Sequence, residues 1–375
     1  MKRVNVAVVG AAGWIGGLHS DCWVRAKSLS SDAEIHLHTA VDINEEAVRK
    51  VAARYGYAHW SIDYNEVIDN PEVDLVDICC DNNLHKEIAV KAANKGKLIL
   101  CEKPMATNYP DAKEMADAVR DNNIQARVGF MFRKYPSVAF IRQLIDRGDI
   151  GELRQFKVFF EQDSVADPGL PYNWRFCKKT AGGGSIVGLG SHIIDISRYF
   201  MGEFDEVCAE LTTFINERPM RDDKSKMGRV DVDDMSMVLV KFKNGGTGAL
   251  FTSLVTHGKK HHMEFQLAGS KATVIFNSER MNEVQIYEAE GSPDKRGFKT
   301  IFIGELHPYG ELFSQKAGMG IGTKEGFTLQ MVDYLKDAVN GTVNGATFDD
   351  GLKNVLCIEK IQESAERGNW VKVEA

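Results

Sequence analysis

The sequence predicts an α/β protein in two parts: a doubly wound, parallel-sheet domain over residues 1–130, then an α+β domain over 131–375 with a large, open, mostly antiparallel sheet. Three observations carry this reading. Up to about residue 130, short apolar runs alternate with helical patterns, as repeated βαβ units do. Beyond Gly151, longer β-rich runs replace that alternation. Finally, 375 residues exceed what one hydrophobic core usually sustains, so two domains are expected.

In the first part, strands are placed at 4–9, 35–41, 73–80, 98–101 and 125–130, each an apolar run of strand length. A helix at 45–55 follows from Val48, Val51, Ala52 and Tyr55 at helical spacing, and one at 85–94 from its stop before Gly96. A helix at 137–147 leads into the second part, where strands are expected at 153–161, 207–216, 235–242, 248–256, 263–269 and 272–276. Asn244-Gly245-Gly246 joins two of these in a hairpin, because a tight turn needs positive φ. The charged stretch 218–229 has no clear periodicity and reads as a mobile loop.

The formal net charge of −7, with no basic patch against it, argues against nucleic acid and anionic membranes as partners. No run of about 18 apolar residues is present, so no membrane-spanning helix is expected. The glycines at 10, 13, 16 and 17 interrupt any leader-like apolar segment after Met1-Lys2-Arg3. Seven cysteines (Cys22, Cys79, Cys80, Cys101, Cys177, Cys208 and Cys357) form no CxxC pair and read as reduced thiols in a cytoplasm. His261-His262, after two lysines, reads as a solvated loop, and no metal is expected.

The chemistry concentrates at strand ends. Gly10-Ala11-Ala12-Gly13-Trp14-Ile15-Gly16 follows the first strand and opens a helix, which lets backbone N–H groups approach a pyrophosphate. Its spacing is GxxGxxG, so Ala12 stands near the close approach usually given to a second glycine. Asp42, ending the second strand, can accept from ribose hydroxyls and would repel a 2′-phosphate, favouring NAD over NADP; it could equally cap the helix starting at Glu45. Cys80, Asp81, Asn82 and His85 end or follow the third predicted strand and are expected at the nicotinamide side, although Asp81 or Asn82 could simply cap the next helix.

Glu102-Lys103-Pro104 follows the strand at 98–101, and Pro104 disfavours helix at Lys103, holding it extended where open α/β sheets bind ligands. Oxidation of an alcohol by hydride transfer needs a base within reach of the hydroxyl proton, and a desolvated lysine can serve. Gly182-Gly183-Gly184 leads, in the second part, to His192 at the start of an apolar helix whose first turn contains Asp195.

In this order, the glycine turn, Glu102-Lys103-Pro104, and the glycine run before His192 and Asp195 resemble the Gfo/Idh/MocA oxidoreductases over essentially the whole chain. The pattern is closest to the levoglucosan dehydrogenase-like sugar dehydrogenases, through stretches at 162–168, 173–176, 230–234, 296–298 and 307–311. The resemblance implies a Rossmann domain joined to a sheet domain and NAD-linked oxidation of a ring hydroxyl in a carbohydrate, polyol or anhydro-sugar. It makes Lys103 and His192 the catalytic pair and puts Arg133, Asp163, Trp174, Arg175 and Asp195 beside nicotinamide or substrate. Homodimers or homotetramers are common among such proteins. One departure stands out: the aspartate usually found four residues before the histidine is Gly188 here. That leaves a non-catalytic NAD(P)- or sugar-sensing regulator as the alternative.

Overall fold

The computed structural model describes residues 1–313 and 316–375. The chain forms two compact units, one of residues 1–134 with 323–355, the other of 135–322 with 356–375.

The first unit holds a six-stranded parallel sheet of β1 (Lys2–Val9), β2 (Ala33–Val41), β3 (His59–Ser61), β4 (Leu75–Ile78), β5 (Leu98–Cys101) and β6 (Ala126–Val128). Between the strands run α1 (Trp14–Leu29), α2 (Glu45–Tyr55), α3 (Tyr64–Asp69), α4 (His85–Asn94) and α5 (Tyr109–Asp121). Helices cover both faces of such a sheet, which is why β4 and β5 are buried along their length on both faces, apart from the partly exposed Leu98. The strand order β3-β2-β1-β4-β5-β6 reverses direction between β1 and β4. That is the switch point at which doubly wound sheets open a crevice at their carboxyl edge.

The second unit holds α6 (Pro136–Asp146), β7 (Leu153–Glu161), the short helices α7 (Lys178–Ala181) and α8 (Ser185–Gly188), α9 (Gly190–Met201), β8 (Phe204–Thr212), β9 (Glu217–Pro219) and β10 (Met227–Arg229). It continues through β11 (Met235–Phe242), β12 (Thr247–Ser253), β13 (His262–Gly269), β14 (Ala272–Asn277), β15 (Glu283–Glu288), β16 (Lys299–Phe302) and α10 (Gly310–Phe313), and closes with β17 (Val371–Lys372). Nine of these strands form a mixed sheet, order β16-β15-β14-β13-β7-β12-β11-β8-β17, in which β7 and β12 run parallel and the other pairs antiparallel. On β11, Ser236, Val238, Val240 and Phe242 are buried while Met237 and Leu239 are exposed, the alternation of a sheet packed on one face. Phe156, Phe160, Phe200 and Phe265 fill the packed side. The Asn244-Gly245-Gly246 turn closes β11 onto β12 with Gly245 at φ +88°.

Two expectations are corrected. Residues 218–229 are not a loop throughout: their ends form β9 and β10, which pair as an antiparallel hairpin, and only 220–226 connect them. Arg218 is fully buried there, its guanidinium 4.3 Å from the Phe176 ring centre and donating to the carbonyls of Val165 (2.6 Å) and Asp167 (2.8 Å). Its partners lie some fifty residues away in sequence, so periodicity could not expose them. His261-His262 is not a solvated loop either, since His262 begins β13 and His261 packs edge-on against buried Phe160.

Two carboxylates organise segments that matter below. In the second unit, buried Asp233 accepts from the N–H groups of Gly184 and Ile186 (2.8 Å each) and from the Ser185 hydroxyl (2.6 Å). A Cβ at Gly184 would lie 1.8 Å from the Asp233 carbonyl oxygen, so only glycine admits this clamp just ahead of α9. In the first unit, α11 (Thr323–Asn340) packs beside α1, and its buried Asp337 accepts from Arg127, Thr342 and Asn344. Burial alone would raise the Asp337 carboxyl, but these donors hold it below its ordinary range. The last helix, α12 (Phe348–Arg367), contributes residues to both units.

Asp233→Asn presents an amide to donors and is expected to destabilise the protein by about 2–3 kcal/mol, read as a lowered Tm or denaturation midpoint. Asp337, with its folded pKa depressed, contributes stability that is present above the ordinary carboxylate pKa of about 4 and lost as pH falls through the folded value. Denaturant unfolding should therefore show that Asp337→Asn destabilises markedly at pH 7 and progressively less on acidification below about pH 4.

Candidate active site

At the carboxyl edge of the first unit's sheet, the turn after β1 is built by crowding. The N–H groups of Gly10 and Ala11 both donate to the Val41 carbonyl (2.8 and 3.0 Å), and Gly10 sits at φ +83°. A Cβ on Gly10 would stand 2.7 Å from the Cys79 carbonyl oxygen, and one on Gly16 would stand 2.1 Å from the Gly10 carbonyl oxygen. Glycine at both positions lets the turn lie against the end of β4 and lets α1 start directly on the turn. Gly13 is the N-cap of α1 and offers no capping side chain, while Trp14 beside it is exposed and Ile15 half-buried. The helix start thus turns backbone N–H groups and a partial positive charge toward the crevice, which suits a pyrophosphate.

Asp42 follows β2. One oxygen accepts from the Ala12 N–H (3.0 Å) and the other from the Asn44 N–H (3.1 Å), while Asn44 itself caps α2 through the Ala47 N–H. Asp42 is therefore not the helix cap; it ties the glycine turn to the end of β2 and keeps acceptor lone pairs for hydroxyl donors. Ala12 accordingly places its N–H on a carboxylate.

Cys79 to His85 form the facing loop. Asp81 is exposed, Asn82 opens a 3₁₀ turn, and no side chain caps that turn. His85 is turned inward, with ring nitrogens 3.0 Å from the Pro104 carbonyl oxygen and 3.2 Å from that of Cys80, so it braces two loops. Burial lowers its pKa and favours the neutral ring. Burial pushes the half-buried Cys80 thiol up to about 12 and raises Cys79 as well, so both sulfurs keep their protons.

Lys103 stands half-buried just past β5, and its N–H donates to the Glu102 carboxylate (3.2 Å). The other Glu102 oxygen lies 3.1 Å from His19 Nε2. A Cβ on Gly129 would come within 2.3 Å of that oxygen, so a glycine in the neighbouring strand end makes room for it. Arg133, also in the first unit, pairs with Asp350 at 3.4 Å.

The remaining candidates belong to the second unit. His192 and Asp195 are both buried on α9, with Phe160 at 6.1 Å from the imidazole. Gly188, four residues before His192, faces open space, since a Cβ there would meet nothing within 4 Å. Asp163 is engaged by Lys260 (2.7 Å) and the Gly258 N–H (3.2 Å); the ammonium beside it holds its carboxyl below the ordinary range. Trp174 lies in a 3₁₀ turn, with the exposed Arg175 guanidinium 4.3 Å from its ring centre. The first unit's candidates follow the carboxyl ends of its strands, along one sheet edge.

Sequence reasoning missed the partners behind these residues: buried His19, Asp77, Gly129 and Asp233, and half-buried Asp350. One signal was available, because Asp77 interrupts an otherwise apolar central strand, where a carboxylate must have found a partner.

Residues 4–130 match the oxidoreductase family with an NAD-binding Rossmann fold, and residues 138–275 match the Gfo/Idh/MocA C-terminal domain. Over its whole length the chain is 36% identical to levoglucosan dehydrogenase of Pseudarthrobacter phenanthrenivorans, covering 99% of that protein. It is 23% identical to myo-inositol 2-dehydrogenase of Thermotoga maritima, covering 99% of each. Among solved structures, levoglucosan dehydrogenase in complex with NADH and L-sorbose superposes with a TM-score of 0.96 at 36% identity, each chain covered completely. Levoglucosan dehydrogenase in complex with NADH and levoglucosan does so equally. By these two matched domains and the full-length identity, the chain is an NAD-binding oxidoreductase and belongs to the Gfo/Idh/MocA family.

Proposed function

We propose that the protein oxidises a ring hydroxyl of a cyclic polyol, sugar or anhydro-sugar, with Lys103 and His192 as the acid/base pair. The observation that carries this reading is Lys103 just past β5 at the carboxyl edge of the cofactor sheet, its backbone N–H tied to the Glu102 carboxylate. Support comes from full-length similarity to a dehydrogenase named for an anhydro-sugar. NAD is the preferred cofactor over NADP because Asp42 would face a 2′-phosphate with like charge.

Bound NAD supplies the hydride acceptor. The residues of this chain do the rest. The glycine turn and the start of α1 hold the pyrophosphate, and Asp42 accepts from ribose hydroxyls. Cys80, Asp81, Asn82, Glu102 and Trp14 border the cofactor, and His85 braces two of its loops. Lys103 takes up the hydroxyl proton as the C–H bond is lost, and His192 serves as the second acid/base group. Arg133, Asp163, Trp174, Arg175 and Asp195 bind substrate hydroxyls, an apolar sugar face or the nicotinamide end. Position 188 no longer supplies a carboxylate, so the two nitrogen bases work without one from that turn. The protein acts in the cytoplasm as a homodimer or homotetramer; Val238, Val240 and Phe242, the alternating residues the sequence offers for that contact, are buried inside the unit, so the contact is formed through the opposite sheet face, which exposes Phe159, Met237 and Leu239.

NADH formation with inositols, glucosides and levoglucosan tests the reading. Turnover with at least one is expected, with Lys103→Met and His192→Asn each lowering kcat by roughly 10²–10⁴-fold while NAD still binds. NAD binding with no turnover on any substrate would favour the sensing alternative. Gly16→Ala forces α1 away from the Gly10 carbonyl and is expected to weaken NAD at least tenfold in a fluorescence titration. Light scattering should report two or four subunits, and Leu239→Lys should lower that number.

A further inference from the structure

Behind Lys103 lies a chain of buried charge that the reading above does not use. His19, on α1, is fully buried, and its Nδ1 sits 2.9 Å from an Asp77 oxygen while its Nε2 sits 3.1 Å from a Glu102 oxygen. Asp77, on β4, also accepts from the Trp23 indole N–H (2.7 Å), and Glu102 accepts the Lys103 N–H. A neutral imidazole carries one N–H, so it can donate to only one of two ionised carboxylates and must set a lone pair against the other. A doubly protonated ring satisfies both and leaves the cluster with one net negative charge rather than two. Burial is the largest single influence and opposes that charge, but the charge and hydrogen bonds of Asp77 and Cys79 together outweigh it and raise the His19 pKa. The titratable groups around the ring are Asp77, Cys79 and Glu102, with Cys22 on its own helix and Tyr57 nearby; the thiols and the phenol are pushed up and stay neutral.

His19, Asp77 and Cys79 also present ligand atoms close enough together for a metal ion. The imidazole nitrogens are already committed to two carboxylates, so the ion-pair chain accounts for the cluster.

We propose that His19 is a positioning residue: as an imidazolium bridging Asp77 and Glu102, it fixes the Glu102-Lys103 backbone and couples the helix that begins at the dinucleotide turn to the placement of the catalytic lysine. The inference rests on the reading of Lys103 as that lysine. It adds a route by which cofactor seated on α1 is felt at Lys103 without touching it.

Two measurements separate this inference from that reading. Nitrogen-15 NMR of the histidines in the full-length protein, compared with His19→Gln to assign the resonance, is expected to find both His19 nitrogens protonated at pH 8. A neutral ring at that pH overturns the proposal whether or not any polyol is oxidised. Steady-state kinetics then test the consequence. His19→Gln is expected to lower kcat at least tenfold with KM for NAD changed less than threefold. His19→Gln/Glu102→Gln, which removes one buried charge with the cation, is expected to recover at least a third of the lost thermal stability but not the lost kcat. Equal kcat for wild type and His19→Gln, measured below the Tm of both, overturns it.

Discussion

Everything in the first unit depends on one steric constraint: between the end of β1 and the ends of its neighbours there is no room for a side chain. Gly10 lies against the end of β4 and Gly16 against Gly10, so the first strand passes into α1 through a turn with backbone packed on backbone at both glycines. Because the approach is that close, peptide N–H groups rather than side chains face the crevice, and a helix N-terminus takes the place of a cationic residue as anion receptor. Asp42 closes the turn from the other side, which makes a carboxylate at the end of β2 part of the same backbone network.

The second unit solves a comparable problem with a carboxylate. The glycine run before α9 could adopt many conformations, and Asp233 selects one by accepting from three consecutive residues. A buried acceptor with three donors is stable only in that register, so the orientation of α9, and of His192 on it, follows from a residue more than forty positions downstream. The two units thus use opposite devices, absence of side chain and a multiply bonded side chain, to hold a loop ahead of a helix.

Much of this was legible in the sequence. Strands and helices with strong periodicity, such as β5, β7, β11, α2 and α4, lie where apolar spacing puts them, because local pattern and tertiary burial agree there. The glycine turn and the Lys103 segment fall at strand ends where the sequence places them, because their local geometry is set by residues adjacent in the chain. What stayed hidden depends on distant partners. The hairpin of β9 and β10 reads as a charged loop until Arg218 is seen against carbonyls from 165 and 167. The return of α11 to pack beside α1 carries no signal in its own sequence, and His19 looks like an ordinary helix residue until β4 and the end of β5 surround it.

The protonated thiols of Cys79, Cys80 and Cys101, clustered at the carboxyl edge of the cofactor sheet, have a chemical consequence. An oxidised nicotinamide is an electrophile, and a thiolate within reach of such a ring could add to it and form a dead-end adduct. Sulfur kept in the S–H form is a poor nucleophile toward that ring and toward peroxide alike. Three cysteines at the heart of a redox domain therefore behave as small apolar packing groups, and the two-electron chemistry of the site stays with carbon.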